Sequence, residues 1–239
     1  MGPRLTIDLE DKSYGDILTV FTRFKLTVEP SSVVALVGPS GVGKSTLLRL
    51  IAGIDRDYTG RIEIDGIEAR EATPPGFVFQ DPRLLPWRTA IQNLTVAKPD
   101  GPPQKAANLL ASVGLSGSED AFPHQLSGGM QRRVALARAV LVNPDLWLFD
   151  EPFVSLDRHL VDELQKLFLA MIEAEAPTVV FVTHVVEDAA KLATRAVVLA
   201  DRPVQIAADI ALDPHPARRS EEAAKHFARL IEAGGKAGP

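Results

Sequence analysis

Short unbroken apolar runs recur along this chain: Val33-Val-Ala-Leu-Val37, Leu146-Trp-Leu-Phe149, Thr178-Val-Val-Phe-Val182 and Arg195-Ala-Val-Val-Leu199. Runs of this length without alternation predict strands buried on both faces, as in a parallel sheet. The N-terminal stretch reads differently. Leu5-Thr-Ile-Asp-Leu9, Leu18-Thr-Val-Phe21 and Phe24-Lys-Leu-Thr-Val28 predict separate short strands, the last with apolar and polar residues alternating and so one buried face. Tyr58-Thr-Gly60 reads as a turn, Arg61 to Gly66 as a strand and turn, and Phe77-Val-Phe79 as a short buried strand that ends in Gln80. Val204-Gln-Ile-Ala207 reads as a last strand closing the sheet. Helices are predicted over Ser45–Ile51, Gln104–Val113, Gln131–Val140, Arg158–Ala174, Val186–Ala193 and Ser220–Glu232, with Gly234 to Pro239 as a frayed tail. Strands alternating with helices make this an α/β chain.

From Asp81 to Val140 the texture changes. Pro82, Pro86, Pro99, Pro102 and Pro103 punctuate the stretch, and helical patterns replace strands. The expectation is one domain over residues 1–239, with a helical subdomain inserted at 81–140.

Composition narrows the function classes. The chain has 239 residues, 46% of them hydrophobic and 24% charged, a net charge of −5 and no cysteine. Nothing basic suggests nucleic acid as the main partner. Disulfides, thiol catalysis and cysteine zinc sites are excluded. No run approaches a membrane span, and nothing at the N-terminus reads as a secretory signal. Met1 to Thr6 formally fits a myristoylation pattern, but Thr6 falls in the first predicted strand, so the match is discounted.

The candidate chemistry sits at strand ends. Gly38-Pro-Ser-Gly-Val-Gly-Lys44-Ser45-Thr46 fits G-x-x-x-x-G-K-[ST] and lies between a predicted strand and a predicted helix. Glycines at that spacing let successive N–H groups point at one anion, and the helix end adds its positive dipole. Ser127 is a good N-cap for the helix that follows His124-Gln-Leu-Ser-Gly-Gly-Met130, a second glycine-containing helix start suited to phosphate. The run Leu146–Phe149 delivers Asp150 and Glu151 to a strand end, where ligands of open α/β sheets bind. Adjacent carboxylates there call for a cation, and a Mg²⁺-nucleotide supplies one. Tyr14, in a predicted loop Lys12–Asp16, is either a surface aromatic or a stacking platform. His184 ends the strand Thr178–Val182 and is structural or catalytic.

Taken together these segments resemble the nucleotide-binding subunit of ABC transporters over nearly the whole chain. Gly38–Thr46 looks like the Walker A loop, with Pro39, Ser40, Gly41, Val42 and Gly43 inside it. Gln80 matches the Q-loop glutamine. Leu126-Ser127-Gly128-Gly129-Met130 looks like the signature motif that separates this family from other P-loop NTPases. Leu146 to Pro152 looks like Walker B followed by the catalytic glutamate, Ser155-Leu-Asp157 sits where the D-loop follows, and His184 matches the switch histidine. Tyr14 then falls where the family places its adenine-stacking aromatic. Met130 and Val185 depart from the commoner Gln and Asp, at positions that supply no indispensable group. The segments Phe77–Arg88 and Leu199-Ala-Asp-Arg-Pro203 look most like the nitrate, sulfonate and taurine importer branch, and importers of thiamine-precursor pyrimidines look similar.

The resemblance implies a P-loop NTPase core with an N-terminal antiparallel β region and the helical insert. It implies ATP and Mg²⁺ as cofactors: Lys44 on the β- and γ-phosphates, Ser45 on the metal, Asp150 holding it and Gln80 touching the metal or the attacking water. Glu151 would be the general base, and His184 would bond the γ-phosphate. Two such chains would pair head to tail, so that Ser127 and Gly129 of one close over ATP on the other and Asp157 crosses the interface. The implied partners are that second ATPase subunit, a transmembrane permease and, indirectly, an external solute-binding protein, with the chain peripheral on the cytoplasmic face of the inner membrane. Leu84, Leu85 and Trp87 either form a groove for the permease or pack the subdomain. Two other readings compete: an ABC-type ATPase acting on nucleic acid or ribosomes, and a regulatory subunit that binds ATP without hydrolysing it. The long coiled coils or second cassette of the former are missing from the sequence, and Glu151 and His184 argue against the latter.

Overall fold

The structure, a computed structural model, describes residues 1–15, 17–154, 158–213 and 215–236. The unbroken apolar runs form the centre of a six-stranded sheet. Its order is β10 (Gln205–Ala211), β9 (Arg195–Ala200), β3 (Val33–Val37), β8 (Thr178–Thr183), β7 (Leu146–Asp150) and β6 (Gly76–Val78). All neighbours are parallel except β10, which runs antiparallel along β9. Every residue of β3, β7 and β8 is buried, because both faces of the sheet are covered.

The strand period of two separates those faces. Val33, Ala35 and Val37 join Trp147, Phe149, Val179 and Phe181 in one core. The helices over that face are α2 (Ala90–Thr95), α3 (Pro103–Ser112), α4 (Gly128–Val142), α5 (Arg158–Glu175), α6 (Val186–Leu192) and α7 (Glu221–Lys236). Leu94, Leu110, Val134, Phe168, Leu192 and Ile231 bring their apolar sides into it. Val34 and Leu36 point the other way, with Leu146, Leu148, Val180 and Val182. There they meet α1 (Lys44–Ile51) through Leu47, Leu48, Leu50 and Ile51, all fully buried. Burial of each such side chain stabilises the fold by roughly 1.5–3 kcal/mol.

Beyond α1 lies a four-stranded antiparallel sheet in the order β2 (Leu18–Val28), β1 (Leu5–Tyr14), β4 (Thr59–Ile64) and β5 (Ile67–Glu68). Leu5, Ile7, Leu9, Phe21, Leu26 and Ile62 face α1 from it. Here the observed elements outrun the predicted ones. Leu18–Phe21 and Phe24–Val28 are one strand, which passes through Arg23 at φ 48°. β1 continues past Leu9 to Tyr14 because its backbone pairs with β2 as far as Leu18, with register shifts along both of its edges. Tyr14 is therefore a strand end rather than a loop residue, and Thr59 and Gly60 open β4 rather than forming a turn. The C-terminal helix also runs further than expected. Gly234 and Gly235 lie inside α7, and a Cβ on Gly234 would come within 2.6 Å of the Ala208 Cβ, so the glycine lets the helix lie close on β10.

Residues between β6 and β7 form α2, α3 and α4 with their connecting loops and no strand among the described residues. At the N-terminus Gly2 is buried, and its N–H donates to the Ala176 carbonyl at 2.9 Å. No helix among the described residues is long and apolar enough to cross a membrane.

Candidate active site

The loop between β3 and α1 sits at the C-terminal edge of the central strand. Gly43, at φ 129°, is the N-cap of α1, and no side chain caps that helix. A Cβ on Gly38 would lie 2.3 Å from the Leu199 carbonyl oxygen, so only glycine lets the loop pass this close to β9. Val42 is buried in the core beneath, which fixes the loop from inside. Pro39, Ser40 and Gly41 are exposed. Lys44 is only 4% exposed, and its ammonium donates to the Gly38 and Pro39 carbonyls at 2.8 Å each. Burial pushes its pKa down, while the charges of Glu151 and Asp150 pull it back up. A buried ammonium at an uncapped helix start makes a receptor for a multiply charged anion.

Asp150 stands opposite. It is buried, and it accepts a 2.7 Å hydrogen bond from the Ser45 hydroxyl. Burial raises its pKa; the Ser45 bond works against that, and the neighbouring Glu151 charge adds to it. A cation placed against this pair would favour the carboxylate. The cleft between loop and strand ends measures about 290 Å³. Ser40, Gly41, Gly43, Lys44, Ser45 and Thr46 line it on one side, Gln80 and Glu151 on the other.

Glu151 is held from two directions. Gln80 Nε2 donates to its Oε2 at 3.3 Å, and His184 Nδ1 lies 3.2 Å from its Oε1. Its own N–H donates to the Val182 carbonyl at 3.1 Å, and its φ is 52°. A glutamate in the left-handed region is costly, by roughly 1–3 kcal/mol, and persists only where its surroundings fix it. Three elements meet here: the segment after β6 brings Gln80, the end of β7 brings Asp150 and Glu151, and the end of β8 brings His184. A carboxylate oriented by two side chains at the mouth of an anion cleft is equipped to take a proton from water.

Not every expected residue reaches this cleft. Ser127, Gly128 and Gly129 are not among its lining residues. Ser127 and Gly128 stand exposed at the start of α4, where Ser127 Oγ accepts from the Met130 N–H at 3.2 Å. Ser155-Leu-Asp157 lies outside the described residues. Tyr14 is 42% exposed, and its hydroxyl donates to Asp55 at 3.0 Å. Trp87 is 69% exposed, so it does not pack the helical region.

Some tethers were beyond sequence reasoning. Arg202 donates to the Gly41 carbonyl across the phosphate loop. Arg138, whose guanidinium pKa burial pushes down, donates from α4 to the Pro82 and Arg83 carbonyls at 3.0 and 3.1 Å. Asn93, fully buried, binds the Leu85 N–H and the Leu85, Arg88 and Thr89 carbonyls. Each tether joins a side chain to backbone carbonyls. Patterning carries no signal for such a bond, although Arg202 does lie in the quoted segment Leu199–Pro203.

Comparison with known proteins agrees with this geometry. The chain is 40% identical over 212 residues to the aliphatic sulfonates import ATP-binding protein SsuB of Bacillus subtilis, covering 84% of this chain and 82% of that one. It is 39% identical over 237 residues to a second such protein from Burkholderia lata, covering 97% and 86%. An uncharacterized ABC transporter ATP-binding protein of Methanocaldococcus jannaschii is 41% identical over 206 residues, covering 83% and 77%. Among solved structures, a dimeric ATP-binding cassette in a post-hydrolysis state with ADP and Pi superposes with a TM-score of 0.78 at 28% identity, over 88% of this chain and 99% of that one. Residues 21–154 match the ABC transporter family. With its phosphate loop, strand-end carboxylates and the serine-capped, glycine-led start of α4 in the family's order, this chain belongs to the ABC transporter family as one of its ATP-hydrolysing subunits.

Proposed function

We propose that this subunit powers a solute importer of the sulfonate, taurine or nitrate class, acting at the cytoplasmic face of the inner membrane beneath a permease. The observation that carries the reading is 39% identity with an aliphatic sulfonates import ATP-binding protein, in an alignment that covers 97% of the chain. Lys44 and the loop amides bind the β- and γ-phosphates of ATP. Ser45 and Asp150 hold Mg²⁺, with Gln80 within reach of it. The metal supplies positive charge to the phosphoryl oxygens. Glu151 accepts the proton of the attacking water, and Gln80 and His184 hold its carboxylate in place, His184 with its second ring nitrogen free for the γ-phosphate.

The remaining parts come from a second copy. Ser127, exposed on this chain, and the half-buried Gly129 close over ATP bound to the partner. ATP then holds the dimer together and hydrolysis releases it, a two-state switch biased by the γ-phosphate. Residues 81–140 act as the helical subdomain that reports this change. The segment Leu84–Thr89 is pinned from inside by Asn93 and presents Trp87 outward. That makes it the surface for a cytoplasmic helix of the permease. Tyr14 is the stacking platform for adenine.

The test is a mild-detergent pull-down from membranes of the source organism, with co-purifying proteins identified. A multi-span permease is the expected result, and its associated solute-binding protein would lead to the solute. Recovery of only soluble, nucleic-acid or ribosomal proteins would overturn the transport role and leave the ATPase chemistry standing.

A further inference from the structure

Lys12 is 1% exposed, near the C-terminal end of β1, whose last residues are mostly polar. A buried ammonium is costly unless every proton finds a partner. Here Nζ contacts the Asp55 carboxylate at 3.0 Å, the Asp57 carbonyl at 2.6 Å and the Asp57 carboxylate at 3.5 Å. The same Nζ lies 4.3 Å from the centre of the Tyr14 ring, within cation–π range. The Tyr14 hydroxyl closes the circuit by donating at 3.0 Å to Asp55 Oδ2, an oxygen that the Lys12 ammonium also touches at 3.0 Å. Asp55 is held below the usual carboxylate range: partial burial raises its pKa, but the hydrogen bonds from Lys12, the Asp57 N–H and Tyr14 outweigh it.

The consequence is geometric. The ring of Tyr14 is fixed at its face by a cation and at its tip by a carboxylate. The cation is buried and the ring is 42% exposed, so the uncovered side is the solvent side. Asp55 also ties this unit to the phosphate loop. Its N–H donates to the Arg49 carbonyl in α1 at 3.2 Å, and α1 is the helix that begins at Lys44. The aromatic ring and the phosphate receptor thus belong to one braced piece.

We propose that Lys12 and Asp55 are positioning residues for the nucleotide base, holding the Tyr14 ring so that a purine stacks on its open side at a fixed distance from the phosphate loop. This rests on the reading of Tyr14 as the base platform. A tyrosine already immobilised does not lose its rotational freedom when the base arrives, so the clamp raises affinity for the base without touching it. The competing role is a plain structural tie between β1 and the loop after α1, and such a tie would not distinguish ligands with a base from ligands without one.

The experiment measures equilibrium binding of ADP and of pyrophosphate to the whole chain by titration calorimetry. It compares the native protein with Tyr14→Ala, Lys12→Met and Asp55→Asn. Tyr14→Ala is expected to weaken ADP roughly tenfold, the scale of one base–aromatic stack. Lys12→Met and Asp55→Asn are each expected to weaken ADP about threefold to fivefold, the scale of a cation–π contact. Pyrophosphate should bind all of them alike. If the two clamp variants weaken ADP and pyrophosphate together, the pair is a structural tie and the proposal falls. If Tyr14→Ala weakens ADP and neither clamp variant does, the platform stands and the clamp falls. If Tyr14→Ala leaves ADP unchanged, platform and clamp fall together. Should Lys12→Met not fold, Asp55→Asn decides alone, since it replaces a partly exposed carboxylate by its isostere.

Discussion

Two helices of this molecule start at glycine-rich turns, and they start differently. α1 has no side-chain cap, and its first residue is the buried Lys44, facing Asp150 and Glu151 across a cleft. α4 is capped by its own Ser127, which takes the Met130 N–H, and both Ser127 and Gly128 are exposed. A helix start left uncapped and walled by charge is a finished receptor. One that satisfies itself in solvent is a surface. Yet the Ser127 hydroxyl still has its proton to donate while its oxygen accepts from Met130. Such a group suits a ligand held by something else, which is what a second subunit would present.

The comparison breaks first at the finished end. Lys44→Ala should lower kcat/KM for ATP about 100-fold or more, the expected loss if Lys44 is the main fixed charge on the transferring group as proposed. Glu151→Gln should lower kcat by roughly 10²–10⁴ and leave ATP binding intact, read by single-turnover hydrolysis and equilibrium binding side by side. Unaltered turnover would show that Glu151 is not the base. At the exposed end, Ser127→Ala should cut turnover roughly tenfold, the loss of one charge-directed hydrogen bond. ADP affinity of the monomer should not move. If monomer binding falls instead, α4 serves the same chain's nucleotide and the contrast between the two helices disappears.

A smaller effect concerns stability beside the finished end. Asp188 starts the α6 turn after His184, is buried, and accepts a 2.7 Å bond from Gln165 in α5. Burial pushes its pKa up to about 6. The native state therefore holds this proton more tightly than the unfolded chain does. The stability it confers is full below about pH 4 and is lost as pH rises through about 6. Asp188→Asn should match the native protein in urea denaturation at pH 4 and exceed it by up to about 3 kcal/mol above pH 7. Equal midpoints at both pH values would sink the assignment. The smallest expected change in ATPase activity is at Trp87. Trp87→Ala should keep basal hydrolysis within about twofold, because so exposed a side chain contributes little to folding. Coupled uptake in reconstituted vesicles should fall far more. Equal losses would end the coupling role.

Much of this was legible from the sequence, for a local reason. The phosphate loop, its strand and its helix are contiguous, so pattern and chemistry coincide over residues 33–51. The strands β3, β7 and β8 were legible because burial on both faces leaves an unbroken apolar run. Tyr14 was misplaced because Glu10-Asp-Lys-Ser is polar on both sides and reads as loop; the pairing with β2 that makes it a strand is not a property of those residues alone. The grip on Glu151 was missed for the same reason: Gln80 is 71 residues away and His184 33. Lys12, Asp55, Arg138 and Asn93 show the wider limit. They are polar residues whose importance comes from burial, and burial is decided by the rest of the chain.

The left-handed backbone at Glu151 has a consequence for anyone evolving this protein in the laboratory. Glycine adopts φ 52° without the steric cost that glutamate carries there. Position 151 therefore sets fitness in a test tube against fitness in a living transporter. A library selected only for soluble expression or heat tolerance has a physical reason to enrich Glu151→Gly, a change that relaxes the chain and discards the carboxylate proposed above as the proton acceptor. Thermostable winners from such a screen should be sequenced at this codon before they are used for anything that depends on turnover.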